Sequence, residues 1–125
     1  MNQGTKIRDF KDLYSWQEGH KLVLLIYKLT ESFPQKEMFG LTNQMRRAAV
    51  SITSNIAEGF SRRSYKDKAQ FYSMALGSLT ELQNQLLVAK DIGYLSVSTF
   101  EKTSDQTITV SKLINGLIKK SKAYS

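Results

Sequence analysis

The feature that most constrains this chain is an apolar run in its second half. Phe71, Ala75, Leu79, Leu82, Leu86 and Ala89 are separated by four, four, three, four and three positions. At these steps the side chains line one side of an α-helix, whereas each three-residue step would throw a strand's side chains onto opposite faces. The spacing approaches a heptad, the repeat of helices that pack lengthwise against one another. One helix cannot bury such a seam by itself, so its partners must come from the rest of the 125 residues.

Three further segments offer them. Trp16, Leu22, Val23, Ile26, Leu29 and Phe33 recur at helical steps after Ser15-Trp16-Gln17-Glu18, which has the form of a capping box. Pro34 is expected to stop this helix, because the residue before a proline is pushed out of helical geometry. A second helix is expected from Thr42 as N-cap, with Met45, Ala49, Ile52 and Ile56 on its apolar face and Gly59 and Ser61 at its end. Its small residues, Ala48, Ala49, Ser51, Ser54, Ala57 and Gly59, permit close approach of a neighbour. Ser64 to Asp67 reads as the cap of the helix that bears the seam. Ser98-Thr99-Phe100-Glu101 reads as the cap of a fourth helix, with Thr103, Thr107, Val110, Leu113, Ile114 and Leu117 on one face.

Helices near 13–33, 42–60, 65–92 and 98–120, joined by short connections, predict an all-α protein. The architecture is an antiparallel up-down-up-down four-helix bundle. Residues 1–125 form one domain, with an ordered core of about 8–120 and a frayed basic tail beyond it. No disulfide or metal staple is needed at this length, and none is available from a chain without Cys and with a single His. Residues 1–12 lack the apolar run of a signal peptide, and the longest apolar stretch, 22–27, is too short to span a bilayer, so a cytoplasmic protein with no membrane contact is expected.

The same shortages shape the functional expectation. His20 stands alone, the carboxylates are scattered, and neither a GxxxxGK[ST] nor a GxGxxG sequence occurs. The expectation is a protein that is not an enzyme and has no cofactor and no metal. The charge, by contrast, is concentrated. Net charge is +7, and residues 41–70 hold Arg46, Arg47, Arg62, Arg63, Lys66 and Lys68 against Glu58 and Asp67. Residues 111–125 hold Lys112, Lys119, Lys120 and Lys122 against no acid. In an up-down bundle the junction between the second and third helices lies at the same end as the C-terminus of the fourth. Arg62, Arg63, Lys66, Lys68, Lys119, Lys120 and Lys122 are therefore candidate phosphate contacts. Phe60, Tyr65 and Tyr72 lie among them, as core or rim residues or as surfaces on which bases stack.

The second helix also carries a polar stripe, Gln44, Arg47, Ser51, Ser54, Asn55 and Glu58. A solvated face, a buried hydrogen-bond network and a subunit contact are the alternatives for it. Arg47 and Glu58 are too far apart to pair within one helix.

Several motifs together resemble one bacterial family. They are Phe33-Pro34, Gly40-Leu41-Thr42-x-Gln44-x-Arg46-Arg47-Ala48-Ala49-x-Ser51-Ile52, Ser54-Asn55-Ile56-Ala57-Glu58-Gly59 and Ala75-x-Gly77-Ser78-Leu79-x-Glu81-Leu82-x-x-Gln85-Leu86. This set is similar to that of the four-helix bundle family of the 23S rRNA intervening sequence protein, over about residues 8–118. Thr53 stands where a proline is common, and Gln83-Asn84 replace a Glu-Thr pair. The resemblance implies a protein of the kind encoded in some bacteria within insertions of the 23S rRNA gene. It marks Arg46, Arg47, Asn55 and Glu58 as family-motif or subunit-contact residues. It also extends to the accessory variability determinant of diversity-generating retroelements, a pentameric barrel of four-helix bundles that binds nucleic acid and contacts a reverse transcriptase.

The expected assembly is a homo-oligomer, a pentamer by this resemblance. Apolar residues off the main stripes, Leu25, Tyr27, Val50, Leu76 and Val88, agree with it. The expected function is non-enzymatic binding of RNA or DNA through the basic surface. The alternative is a structural or adaptor module that recruits a protein partner and uses its charge for solubility.

Overall fold

The computed structural model describes residues 6–125. The expectations for residues 1–5 lie outside the described residues. Four helices account for most of the chain: α1 (Tyr14–Thr30), α2 (Leu41–Ser61), α3 (Tyr65–Asp91) and α4 (Val97–Ala123). Single 3-10 turns, Phe10–Asp12 and Gln35–Glu37, precede α1 and α2. There is no strand among the described residues. Each helix packs on its neighbours in sequence, and α4 closes the ring on α1, which gives the expected up-down bundle.

The core follows the apolar spacing. Leu22 and Ile26 of α1, Met45, Ile52 and Ile56 of α2, Leu79, Leu82 and Leu86 of α3, and Val110 and Ile114 of α4 are almost fully buried. At the start of the α3 seam the structure corrects the reading by one residue. Tyr72, not Phe71, is in the core, and the seam Tyr72-Ala75-Leu79-Leu82-Leu86-Ala89 is an unbroken three-four repeat. Phe71 lies half-buried at the edge, with the Arg62 guanidinium 4.4 Å from its ring centroid. Two threonines, Thr103 and Thr107, are completely buried in α4. Their hydroxyls donate to the Thr99 and Ser104 carbonyls at 2.8 and 2.6 Å, so no polar atom is left unpaired there.

The helix caps differ from the sequence reading in three places. Ser15 does not cap α1, because the helix has already begun at Tyr14. Its buried hydroxyl has no partner among the described residues, and Glu18 instead binds Lys21 at 2.8 Å. The box that does form begins six residues earlier, between Asp9 and Asp12, around the 3-10 turn. Thr42 lies inside α2. The N-cap is Gly40, and the Glu37 carboxylate accepts the free Leu41 N–H at 3.2 Å. In α4 the cap is Ser96, whose Oγ accepts from the Thr99 N–H at 3.1 Å, rather than Ser98. Ser64 caps α3 as expected, accepting from the Asp67 N–H.

The helix ends are set by contacts the sequence does not display. α1 ends at Thr30, ahead of Phe33 and Pro34. The Thr30 hydroxyl donates to the Ile26 carbonyl at 2.7 Å and accepts from Arg46 Nε at 2.9 Å. α3 ends in a Schellman motif, with Tyr94 N–H on the Ala89 carbonyl and Gly93 N–H on the Lys90 carbonyl. Gly93 supplies the positive φ of 88° that this turn requires. The expected frayed tail is instead helical to Ala123, because Ser121 is buried against the bundle.

Gly59 marks a close approach of α2 and α3. A Cβ placed there would lie 2.6 Å from the Tyr72 ring, whereas one placed at Gly77 meets nothing within 4 Å. Gly59→Ala should therefore destabilise the fold by about 1–3 kcal/mol through overpacking. Gly77→Ala should stabilise it by up to about 1 kcal/mol, the cost of glycine in a helix interior. Thermal unfolding followed by circular dichroism separates the two.

Glu37 also ties the loop before α2 to the loop before α4, accepting the Tyr94 hydroxyl at 2.7 Å. That bond, together with the Leu41 N–H, holds the Glu37 carboxyl below its ordinary value of 4.5. It also holds the Tyr94 phenol above 10.0. The Glu37 contribution to stability is complete above 4.5 and is lost as pH falls through the depressed value. The Tyr94 contribution is complete below 10.0 and is lost as pH rises through the raised value. Tyr94→Phe should lower the melting temperature at neutral pH, with the gap from the parent protein closing in both acid and alkali.

Candidate nucleic-acid interface

The α2–α3 junction and the last turns of α4 meet at one end of the bundle. The Tyr65 and Tyr124 rings are in contact, with centroids 5.3 Å apart and planes tilted by 33°. Beside them is a shallow cleft of about 210 Å³, lined by Phe60, Tyr65, Lys68, Tyr72, Lys120 and Ser121 from three helices and by Ile7 and Leu13 from the segment before α1. Arg62, Arg63 and Lys66 at the junction thus share an end with Lys119, Lys120 and Lys122. Lys6 and Arg8 flank Ile7, which lines the same cleft, and were not among the candidate cations of the sequence. Their signal was a single apolar residue between two cations.

These cations are not equivalent. Arg63, Lys66, Lys119, Lys120 and Lys122 are exposed, and no acid pairs with them among the described residues. Arg62 is engaged twice, by the Glu58 carboxylate at 2.8 Å and by the Phe71 ring. The Lys68 ammonium is turned inward. It donates to the Phe60 carbonyl at 2.6 Å and, more weakly, to the Gly59 carbonyl at 3.4 Å, which also accepts the Arg62 N–H at 3.2 Å; both carbonyls belong to the last turn of α2. Burial pushes its pKa down. A cation at a helix C-terminus also offsets the negative end of the macrodipole, so Lys68 acts as a helix cap with its ammonium engaged within the bundle.

Of the family-motif residues only Glu58 reaches this end, through Arg62, and the four do not form one cluster. Arg46 reaches across to α1, bonding Thr30 and stacking on the Tyr27 ring at 4.7 Å. Asn55 Nδ2 donates to the Ser51 carbonyl at 2.9 Å and the Ser51 hydroxyl at 3.2 Å. Ser51 in turn bonds the Ser78 hydroxyl at 2.9 Å across the α2–α3 seam. The α2 polar stripe is thus a hydrogen-bond network in its middle and open at Gln44, Arg47, Ser54 and Glu58. Glu58 finds its partner four residues on, at the C-cap residue Arg62, and Arg47 has no acidic partner among the described residues.

His20 stacks on Trp16 at 4.7 Å, an exposed ring on a half-buried one. No group of three or more His, Asp or Glu residues is arranged to hold a metal ion, and no helix is long and apolar enough to cross a membrane, among the described residues. Of the apolar residues expected off the stripes, Tyr27, Val50 and Val88 are exposed, while Leu25 and Leu76 pack on the core.

Fold and surface together define an α-helical bundle with a strongly cationic end. The chain belongs to the 23S rRNA-intervening sequence protein family, whose model matches residues 11–116. Among solved structures it is similar to a protein of unknown function from the S23 ribosomal protein family of Bacteroides thetaiotaomicron. That match has 19% identity, covers 84% of this chain and 95% of the other, and has a TM-score of 0.76. No curated protein matches this chain.

The different roles of neighbouring lysines can be measured. Lys68→Ala should cost about 1 kcal/mol of stability through the lost bonds to the α2 carbonyls. Lys66→Ala should change stability by less than about 0.5 kcal/mol. Urea unfolding of both variants checks the difference.

Proposed function

We propose that this protein is a non-enzymatic nucleic-acid-binding module that contacts RNA or DNA through the basic end of its bundle. The observation that carries the reading is the convergence of unpaired cations from two segments far apart in sequence, Arg63 and Lys66 from the α2–α3 junction and Lys119, Lys120 and Lys122 from α4. Four helix termini meet there, two of each polarity, so the macrodipoles largely cancel and the side chains set the sign. Contacts of this type neutralise phosphates and release counterions, which gives affinity without sequence preference.

Assembly into a homo-oligomer belongs to the same proposal. The exposed Tyr27 and Val50 and the unpaired Arg47 share one shallow surface on the side of the bundle, a place for a neighbouring subunit. The resemblance to the pentameric accessory variability determinant favours a ring, in which the basic ends would repeat around an axis and multiply weak contacts. A second reading, recruitment of a protein partner, rests on the opposite end. Phe39 there is 94% exposed, a large apolar surface for a connecting turn.

Fluorescence anisotropy with unrelated RNA and DNA sequences at about 50 mM salt tests the proposal. Binding should weaken alike for every sequence when Arg63 and Lys119 are changed to Ala, and the salt slope should flatten by about one for each contact removed. Absence of binding at low salt, or binding indifferent to these changes, would sink it in favour of the adaptor reading. Light scattering that gives a monomer mass at micromolar concentration would remove the oligomer.

A further inference from the structure

The aromatic pair at the basic end is not explained by phosphate contact. Tyr65 opens α3 and Tyr124 caps α4, and their rings touch although 59 residues separate them in the chain. Both residues nevertheless stay exposed, Tyr65 at 41% and Tyr124 at 64%. A pair that served only to clasp the two helices would bury more of both rings. Each tyrosine has cations beside it in sequence, Arg63 and Lys66 around Tyr65 and Lys120 and Lys122 before Tyr124. A third aromatic, Phe60, continues the surface along the adjoining cleft.

We infer that this end takes single-stranded nucleic acid in preference to duplex, with Tyr65 and Tyr124 as a platform on which unpaired bases stack. The inference rests on the basic-end reading above and narrows it. A pair of solvent-accessible aromatic rings flanked by cations matches a strand whose base faces are free and whose phosphates follow at short intervals. In a duplex the base faces are already stacked, and only edges and backbone are offered, so the tyrosines would gain nothing from it. The cations alone would favour the duplex, which has the denser charge. Strand preference therefore reports on the rings, and salt dependence reports on the cations.

The test uses the full chain and strands of about 16 nucleotides, as RNA and as DNA, each alone and annealed to its complement. The parent protein should bind the single strands about tenfold more tightly than the duplexes, in either sugar chemistry. Tyr65→Leu and Tyr124→Leu should each weaken single-strand binding about tenfold and leave duplex binding unchanged. Tyr65→Phe and Tyr124→Phe should retain it, which separates a lost platform from a damaged fold. A 2-aminopurine strand should be quenched by the parent protein and not by the leucine variants. Equal affinity for strand and duplex, unaffected by the leucine changes, overturns the inference while the basic end stands. Absence of binding to both overturns the basic-end reading and this inference with it.

Discussion

The close approach of α2 and α3 is the constraint on which the rest of the molecule depends. These two helices share the most extensive contact in the bundle. They can approach because α2 presents Gly59 at the seam, and Tyr72 lies where a side chain at position 59 would have to be. The Ser51–Ser78 bond and the Asn55 amide then fix the register of the pair. Once α2 and α3 are held together at Gly59, the intervening turn is short, and Arg62, Arg63 and Lys66 have no room to spread away from the end of the bundle. The cationic end is thus a consequence of helix packing, and no separate loop is needed to form it.

Charge at that end is divided between holding the fold and facing solvent. Lys68 satisfies the last carbonyls of α2, and Arg62 is tied to Glu58 and Phe71. Their neighbours Arg63 and Lys66 make no such contacts among the described residues and project the remaining charge outward. A strongly positive surface repels itself, and capping with one of its own lysines lowers that cost while stabilising a helix end. At the far end the logic is reversed. The Glu37 carboxylate serves the N-terminus of α2 and holds Tyr94, so a negative group occupies the place where the macrodipole favours one.

The sequence by itself determined the four helices, their order and nearly all of the core, because helical periodicity is a local property and short connections leave few ways to arrange antiparallel neighbours. It also showed where charge accumulates along the chain. It did not determine which of two adjacent aromatics, Phe71 or Tyr72, enters the core, nor that α1 starts without a serine cap, nor that Ser96 and not Ser98 caps α4, since each choice depends on a turn whose partner atoms lie elsewhere. Tertiary structure alone decided the individual roles of the cations. Arg62, Arg63, Lys66 and Lys68 are equally basic and close in sequence, yet only the positions of the α2 carbonyls, Glu58 and Phe71 distinguish a helix cap and an ion pair from free charge. The contact of Tyr65 with Tyr124 is of the same kind: it joins residues at opposite ends of two helices, and nothing short of the folded bundle brings them together.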